Sequence, residues 1–437
     1  MNKHIGIVGG GLLGMTLALR LREQGFEVTL LEANERTGGL ARPTRIGDYV
    51  WDQFYHVILI SDESLLDLIS KLGLMDHLKS NRTKTGFLNN GQLYSMSNIM
   101  EFLAFPPLSL LDKIRLGFTI FYASKIKSPE RLERILVEDW LKRFSGHRTF
   151  NKIWLPLLKS KLGEYYKETS ASFIWASIDR MYAARRTGLK TEVFSYIDGG
   201  YATILDRFQK VLDGLEVHTL CQRPVTQVMD DSGRVKIKIS TGETLKFDRV
   251  ILTLPCDELP RLCPQISEDE KRRFKKVIYE DVICVLLLVK KGLAGYYVTN
   301  LTDGWVPFTA VIEMTVVVDR KYFGGNSLIY LPRYVSVEDP FLKKEDKEIQ
   351  EEFVTALERI YPQFKRADIV ASKIIRGKNV LPITTLNYSK EVLPPVRTSL
   401  KHVFVVNSAQ IANGTMNVNE IVGLANRKAE EIVKLIS

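Results

Sequence analysis

The chain has 437 residues, 45% of them hydrophobic and 26% charged, so it is too long for one small core and suits two interleaved domains of an ordinary globular protein. No apolar run approaches the length of a membrane span (Ile283-Cys284-Val285-Leu286-Leu287-Leu288-Val289 is strand-sized), and a first strand at about His4 leaves no room for a signal peptide. Four cysteines, at 221, 256, 263 and 284, lack metal-like clustering and fit reduced cytoplasmic thiols, while the formal charge of +10 is interleaved with acids and shows no nucleic-acid recognition module.

In chain order, Ile5-Gly6-Ile7-Val8 is a short run with β character, followed at once by Gly9-Gly10-Gly11-Leu12-Leu13-Gly14. Thr16 to Gln24 has helical spacing, with Leu17, Ala18 and Leu21 on one face. Gly25-Phe26 then turns into a second strand that ends on Glu32. This is β-α-β with G-x-G-x-x-G between strand and helix. Gly9 permits the tight turn, Gly11 lets the backbone approach a pyrophosphate, and Gly14 lets helix and strand pack closely. The amides at the helix start around Leu12 and Leu13, with the positive dipole end, attract phosphates. Glu32 is placed to accept hydrogen bonds from an adenosine ribose.

Helices are expected from Ser61 to Arg186. Between Asp112 and Glu168, 13 Lys and Arg stand against 7 Asp and Glu. There Ile114, Leu116, Phe118, Ile120, Phe121 and Tyr122 are punctuated by Lys113, Arg115, Lys125 and Lys127. Such a helix can lie in an anionic membrane interface; equally, it can be a solvated basic face on a helix buried against its own domain. A strand-rich return follows between Val193 and Leu262. Further strands are expected near Val282–Val289, Thr309–Val318 and Leu328–Leu331, and a helix from about Asp346 to Tyr361. Val403-Phe404-Val405-Val406 reads as a strand and Asn417 to Ile436 as a closing helix. No internal repeat or low-complexity linker is visible.

Glu32-Ala33-Asn34-Glu35-Arg36-Thr37-Gly38-Gly39 resembles the E-x-x-x-R-x-G-G extension of the amine oxidase superfamily of flavoproteins. The resemblance implies FAD, with Arg36, Gly38 and Gly39 along its diphosphate and ribityl chain, where a guanidinium can pair with phosphate and paired glycines offer unobstructed N–H groups. Leu40 stands where an arginine often follows, and Gly-Gly-Leu-Ala looks more like the desaturase branch. Further similarity lies in Asp198-Gly199-Gly200-Tyr201, in Pro224-Val225-Thr226, where the backbone of Val225 is implied to meet the adenine, and in Leu252-Thr253-Leu254-Pro255. The family's Gly-Asp near the end is replaced by Asn407-Ser408, so Asn407, together with Asn417, Val418 and Asn419 at the closing helix start, is an implied contact to the flavin. The cysteines stop too early for a cysteinyl flavin link, so noncovalent FAD is expected. The implied fold is α/β: a Rossmann-like FAD-binding domain (GR2 type) from residues 1–95, 193–265 and 390–437. A substrate domain of α+β type, with a membrane-contacting helical segment, is inserted at 96–192 and 266–389.

For the chemistry, Tyr55 and His56 are implied to border the substrate side of the ring, His56 either moving a proton near neutrality or packing as a hydrogen-bonded core residue. Lys161 approaches the flavin or is a solvated surface charge. Glu313 and Arg333, with Tyr330 nearby, either clamp a polar substrate group or pair with each other structurally. The implied activity is removal of a hydride from an apolar or amine-type small molecule onto flavin N5. Two other readings remain open. One is a flavin-dependent, non-redox sugar-nucleotide mutase resembling UDP-galactopyranose mutase, with Arg333 on a diphosphate. The other is a non-enzymatic prenyl-protein carrier similar to Rab GDP dissociation inhibitors, against which the intact Arg36-Thr37-Gly38-Gly39 argues. The expected location is the cytoplasm, at the inner face of the membrane, and nothing in the residues addresses the oligomeric state.

Overall fold

A computed structural model describes residues 3–185, 192–231 and 233–436. The expected end of the helical run at Arg186 lies outside the described residues. His4–Val8 occupies the centre of a five-stranded sheet with the order Val403–Val405, Arg249–Leu252, His4–Val8, Glu27–Leu31, His218–Leu220. Every pairing is parallel, with Ile5 opposite both Arg249 and Val28. A parallel sheet must be covered on both faces, which is why its strands read as continuous apolar runs. One face packs on helices Leu12–Glu23, Val418–Ile436 and Tyr201–Gly214 through Met15, Leu17, Val422, Ala425 and Phe208. The other is covered by an antiparallel meander, Val225–Asp231, Arg234–Ile239 and Thr244–Phe247, through Val228, Ile237 and Phe247.

A seven-stranded sheet forms the second body, in the order Ile369–Pro382, Tyr279–Val289, Ser327–Ser336, Ala310–Glu313, Val298–Leu301, Thr85–Asn89, Gln92–Ser95. All eleven residues of Tyr279–Val289 are buried because this strand is interior and covered on both faces. Helix Asp346–Ile360 covers one face with Ile349, Phe353 and Leu357. Two expectations are corrected. Thr85–Asn89 and Gln92–Ser95, assigned above to the nucleotide domain, belong to this second sheet because Thr85–Leu88 pair with Val298–Leu301. The strand expected over 309–318 ends at Glu313: Met314–Val316 form a 3-10 turn that lets Met314, Val317 and Val318 pack with Phe323 and Tyr297.

Helices Ile99–Ala104, Leu110–Ala123, Val137–Ser145, Leu155–Leu162 and Ala171–Arg185 pack on one another and on the second sheet, through Trp140, Leu158, Val282 and Val380 and through Leu116 and Phe87. Leu110–Ala123 starts at a Ser109/Asp112 capping box. It turns Lys113 inward, where the ammonium donates to the Leu103 carbonyl at 2.6 Å, and turns Leu110, Ile114, Phe118 and Phe121 outward at 52–68% exposure. The face it presents to solvent is therefore largely apolar, with Arg115 also exposed, and not the basic face of one of the two readings. Among the described residues no helix is long and apolar enough to cross a membrane.

Candidate active site

The glycine run closes on itself through steric necessity. A Cβ on Gly14 would lie 1.9 Å from the Gly9 carbonyl oxygen, and one on Gly9, at φ +111°, would lie 2.2 Å from Thr253 Oγ1. Thr253 donates to the carbonyls of Val8 (2.9 Å) and Gly9 (3.1 Å), so it props the turn from beneath. Gly11 is different. It is the N-cap of helix Leu12–Glu23 with extended backbone and no side-chain cap, and a Cβ there would meet only the Gly39 Cα, at 3.8 Å. The first intrahelical bond runs from Met15 N to Gly11 O, so the amides of Leu12, Leu13 and Gly14 precede the ladder, and the first turn carries no acid. The second glycine pair backs onto this opening: Gly38 N donates to Gly10 O at 2.8 Å, and Gly39 sits at φ +56°. Unencumbered donors at a positive helix end, with room where a side chain would stand, fit a diphosphate.

Glu32 is buried, accepting from Gly10 N (2.8 Å) through one oxygen and from Asn34 N (2.9 Å) and Asn34 Nδ2 (2.5 Å) through the other. A carboxylate has about four acceptor positions, so it retains capacity for a ribose hydroxyl. Ala33 is exposed beside it. Arg36 is held sideways by Asp206 on helix Tyr201–Gly214, at 2.7 Å. Leu40 is exposed, and its carbonyl accepts from Gln53 at 3.0 Å. Val225 is half-buried at the start of the meander.

At the far end three assignments change. Asn407 is buried and donates to the Leu254 carbonyl (2.9 Å) and to Cys256 Sγ (3.3 Å), so its side chain joins two strand ends. Asn417 caps the closing helix, accepting from Glu420 N at 3.1 Å, and Asn419 accepts from Leu65 N at 3.1 Å. With both side-chain carbonyls engaged and the Asn417 amide nitrogen bonded to Thr415, this helix start offers donors only: backbone N–H groups, including that of Val418, and the Asn419 amide nitrogen.

The segment after the second glycine pair leads to the other sheet. The carboxylate of Asp52 accepts from Tyr201 N at 2.8 Å, and burial pushes its pKa up to about 7. Tyr330 hands its hydroxyl to the Asp52 carbonyl at 2.5 Å; it is fully buried and locks the two bodies together, so its expected catalytic part is corrected to a structural one. His56 packs its ring against Tyr201, centroids 4.9 Å apart, with Nδ1 buried and unpartnered. Burial lowers its pKa to about 4, so at neutrality the ring is the neutral imidazole and not an imidazolium acid. Tyr55, by contrast, bonds hydroxyl to hydroxyl with Tyr334 at 2.9 Å, and the Lys161 ammonium lies 3.7 Å from the centroid of the Tyr334 ring. Residues from three distant segments converge here, and the reading of Lys161 as a solvated charge does not hold.

Glu313 and Arg333 are not part of this cluster. Glu313 pairs with Ile329, and strand alternation puts Glu313 and Arg333 on the face of Ile329 and Leu331, under helix Asp346–Ile360. Glu313 accepts from the amides of Leu293 (3.2 Å) and Gly295 (3.3 Å) and lies 3.7 Å from Arg320. Arg333 donates to the Pro307 carbonyl at 2.9 Å and stacks on Phe341. They neither clamp a substrate beside Tyr55 nor pair with each other, and an Arg333 contact to a sugar-nucleotide diphosphate loses its basis. Sequence reasoning gave no role to Asp52, Tyr334 or Glu280. The acidic start of the apolar run at Glu280-Asp281 was the available signal for the last.

The sequence profile of the flavin-containing amine oxidoreductases matches residues 14–417. The chain belongs to that family. Its cofactor is FAD, and it is an FAD-dependent oxidoreductase of the amine oxidase and desaturase type; the carrier reading is set aside. Among curated relatives, coproporphyrinogen III oxidase of Bacillus subtilis is 23% identical over 58% of this chain and 60% of its own length. The chain thus aligns with about three-fifths of that enzyme. Zeta-carotene desaturase of Synechocystis is 23% identical over 75% of this chain and 70% of its own. Among solved structures, a putrescine oxidase variant superposes with a TM-score of 0.77 at 16% identity over 99% of both chains. An oxidoreductase from Methanosarcina mazei does so with a TM-score of 0.76 at 17% identity over 98% and 100%. These confirm the fold: a Rossmann-like FAD-binding unit joined to an α+β body.

Proposed function

We propose that the protein takes a hydride from an apolar small molecule that it draws from a lipid surface, and that the reacting molecule lies against Tyr55, Tyr334 and Lys161. The convergence of these three side chains between the cofactor segment and the second sheet carries the reading. Bound FAD supplies the two-electron acceptor. The chain's own part is positioning: the paired Tyr55 and Tyr334 hydroxyls present a fixed dipole, the Lys161 ammonium supplies positive charge over an aromatic ring, and Phe54, Met416 and Val282 exclude water. Neither His56 nor Glu313 moves the proton in this scheme. The exposed apolar face at Ile99, Met100, Leu110, Ile114, Phe118 and Phe121, with Lys125 and Lys127 exposed at its rim, supports contact with an anionic bilayer. The relatives that act on coproporphyrinogen and on zeta-carotene give the class of probe.

The test is anaerobic addition of coproporphyrinogen III, zeta-carotene or n-octylamine to the yellow holoprotein. Bleaching of the flavin by one of these compounds, slowed in Tyr334→Phe, supports the assignment. A flavin that is never bleached, or that must be reduced before any turnover, removes it.

A further inference from the structure

The closing helix begins with donors only, whereas the pyrimidine edge of an isoalloxazine is not made of acceptors alone. N1, O2 and O4 accept, and N3 carries a hydrogen that needs an acceptor of its own. The loop before the helix holds one. Asn413 donates through Nδ2 to Glu133 Oε1 at 2.9 Å, while its Oδ1 is buried with no hydrogen-bond partner among the described residues. This loop is folded back on the helix start. A Cβ on Gly414 would lie 3.1 Å from Glu420 Oε2, and Asn417 Nδ2 donates to the Thr415 carbonyl at 2.9 Å. Met416 joins the same apolar cluster as Phe54 and Tyr334, so the loop also borders the segment that carries Tyr55.

The orientation of the Asn413 amide is dictated by its partner. Glu133, on the 3-10 turn Pro129–Arg134, is buried, and its carboxylate also accepts from Ser389 N (2.9 Å, on Oε2) and Ser389 Oγ (2.7 Å, on Oε1). A carboxylate has no hydrogen to give, so the atom that Asn413 turns toward it must be the NH2. The carbonyl oxygen is thereby fixed facing the other way. Leaving it unmet costs about 1–3 kcal/mol, which a donor on a ligand recovers. Asn407 Oδ1 and Gln410 Oε1 are unmet as well, but their amide nitrogens hold them to the carbonyls of Leu254 and Val405, at the strand ends of the parallel sheet. Of the three, Asn413 is the one tied to the helical insert and next to the contact with Glu420. We propose that Asn413 Oδ1 accepts the flavin N3–H and that Glu133 is the positioning residue that sets the polarity of this amide. The inference concerns FAD alone, so it stands or falls independently of the substrate that is oxidised.

The experiment titrates apoprotein with FAD and with N3-methyl-FAD, reading flavin fluorescence, and follows by absorbance the loss of the N3 proton from bound FAD as pH rises. The parent should prefer FAD by about tenfold or more. Asn413→Ala should weaken FAD by roughly tenfold and hold the N3-methyl form no less well than the parent does, so the preference shrinks. In Glu133→Gln the Ser389 amide still requires an acceptor at the Oε2 position, which leaves the new NH2 facing Asn413 and turns that amide over. This variant should weaken FAD at least as much as Asn413→Ala. In both, the N3 proton should be lost at a lower pH than in the parent, because an acceptor favours the protonated form. A merely structural contact moves neither the preference nor that titration. No preference in the parent, an undiminished preference in the variants, or the same N3 titration in all three overturns the proposal. Should Asn413→Ala fail to fold, Glu133→Gln reads the same bond.

Discussion

The cofactor cradle and the wall of the substrate site are built on opposite principles. The cradle is made of backbone: Gly9, Gly11, Gly14, Gly38 and Gly39 bring main chain against main chain, and Thr253 and Glu32 satisfy the amides and carbonyls that the turn exposes. The wall is made of side chains from segments far apart, and the buried His56 Nδ1 beside it has no hydrogen-bond partner. The contrast teaches where stability and selectivity reside. A glycine turn for an invariant ligand is set by main-chain sterics, whereas a site for a variable ligand is set by which distant side chains meet.

The strongest test of this contrast lies within the glycines. Gly14→Val should prevent folding of the first unit, because no relaxation of a 1.9 Å approach to backbone is small. Gly11→Val should leave the apoprotein melting close to the parent, within about 1 kcal/mol, yet abolish flavin retention, read as the ratio of flavin to protein absorbance. Equal damage by both would erase the distinction between packing and ligand-facing glycines.

Next in size is a pH effect on the wall. Asp52 has its pKa raised from 3.8 to about 7, so the stability it confers is complete below its unfolded value and is lost as pH rises from there through 7. Glu280, raised from 4.5 to about 7, has the same sign. His56, lowered from 6.5 to about 4, has the opposite one: its contribution is present above 6.5 and is lost as pH falls toward 4. Asp52→Asn should therefore gain on the parent by about 4 kcal/mol between acid and neutral pH, and the gain should level off beyond 7. Denaturant melts across that range check it, and a pH-independent difference refutes it. Tyr334→Phe, which strands the Tyr55 hydroxyl, should cost about 1 kcal/mol of stability and lower kcat more than it raises KM. Smallest in stability is the double variant Phe118→Ser with Phe121→Ser. It should melt within about 0.5 kcal/mol of the parent but lose salt-sensitive flotation with anionic vesicles; equal flotation with neutral vesicles would remove the electrostatic part of the membrane contact.

The same contrast explains what could be read from the chain. Gly9 to Gly14 and Glu32 were legible because their spacing is local and each position meets its own steric demand. The side of the second sheet was not. Alternation shows that Glu313 and Arg333 share a face parity with Ile329, but only the position of helix Asp346–Ile360 shows which face is turned from the site. Thr85–Ser95 was misplaced because its partner, Val298–Leu301, is remote in the chain. Asn417 carried an N-cap signal that was read as a ligand signal, since a residue before a helix offers the same carbonyl to either. His56 shows no burial in its own sequence context, and burial is what sets its protonation.

The central strand His4–Val8 is flanked by Arg249–Leu252, which in turn needs Val403–Val405, and helix Leu12–Glu23 rests on Val418–Ile436. During synthesis the nascent chain therefore displays its glycine turn early but lacks the neighbours that hold it until Val403–Val405 and Val418–Ile436 have emerged. Prosthetic-group loading is thereby postponed until the closing helix is made, and ribosomal products that stop short of that helix should leave the ribosome colourless.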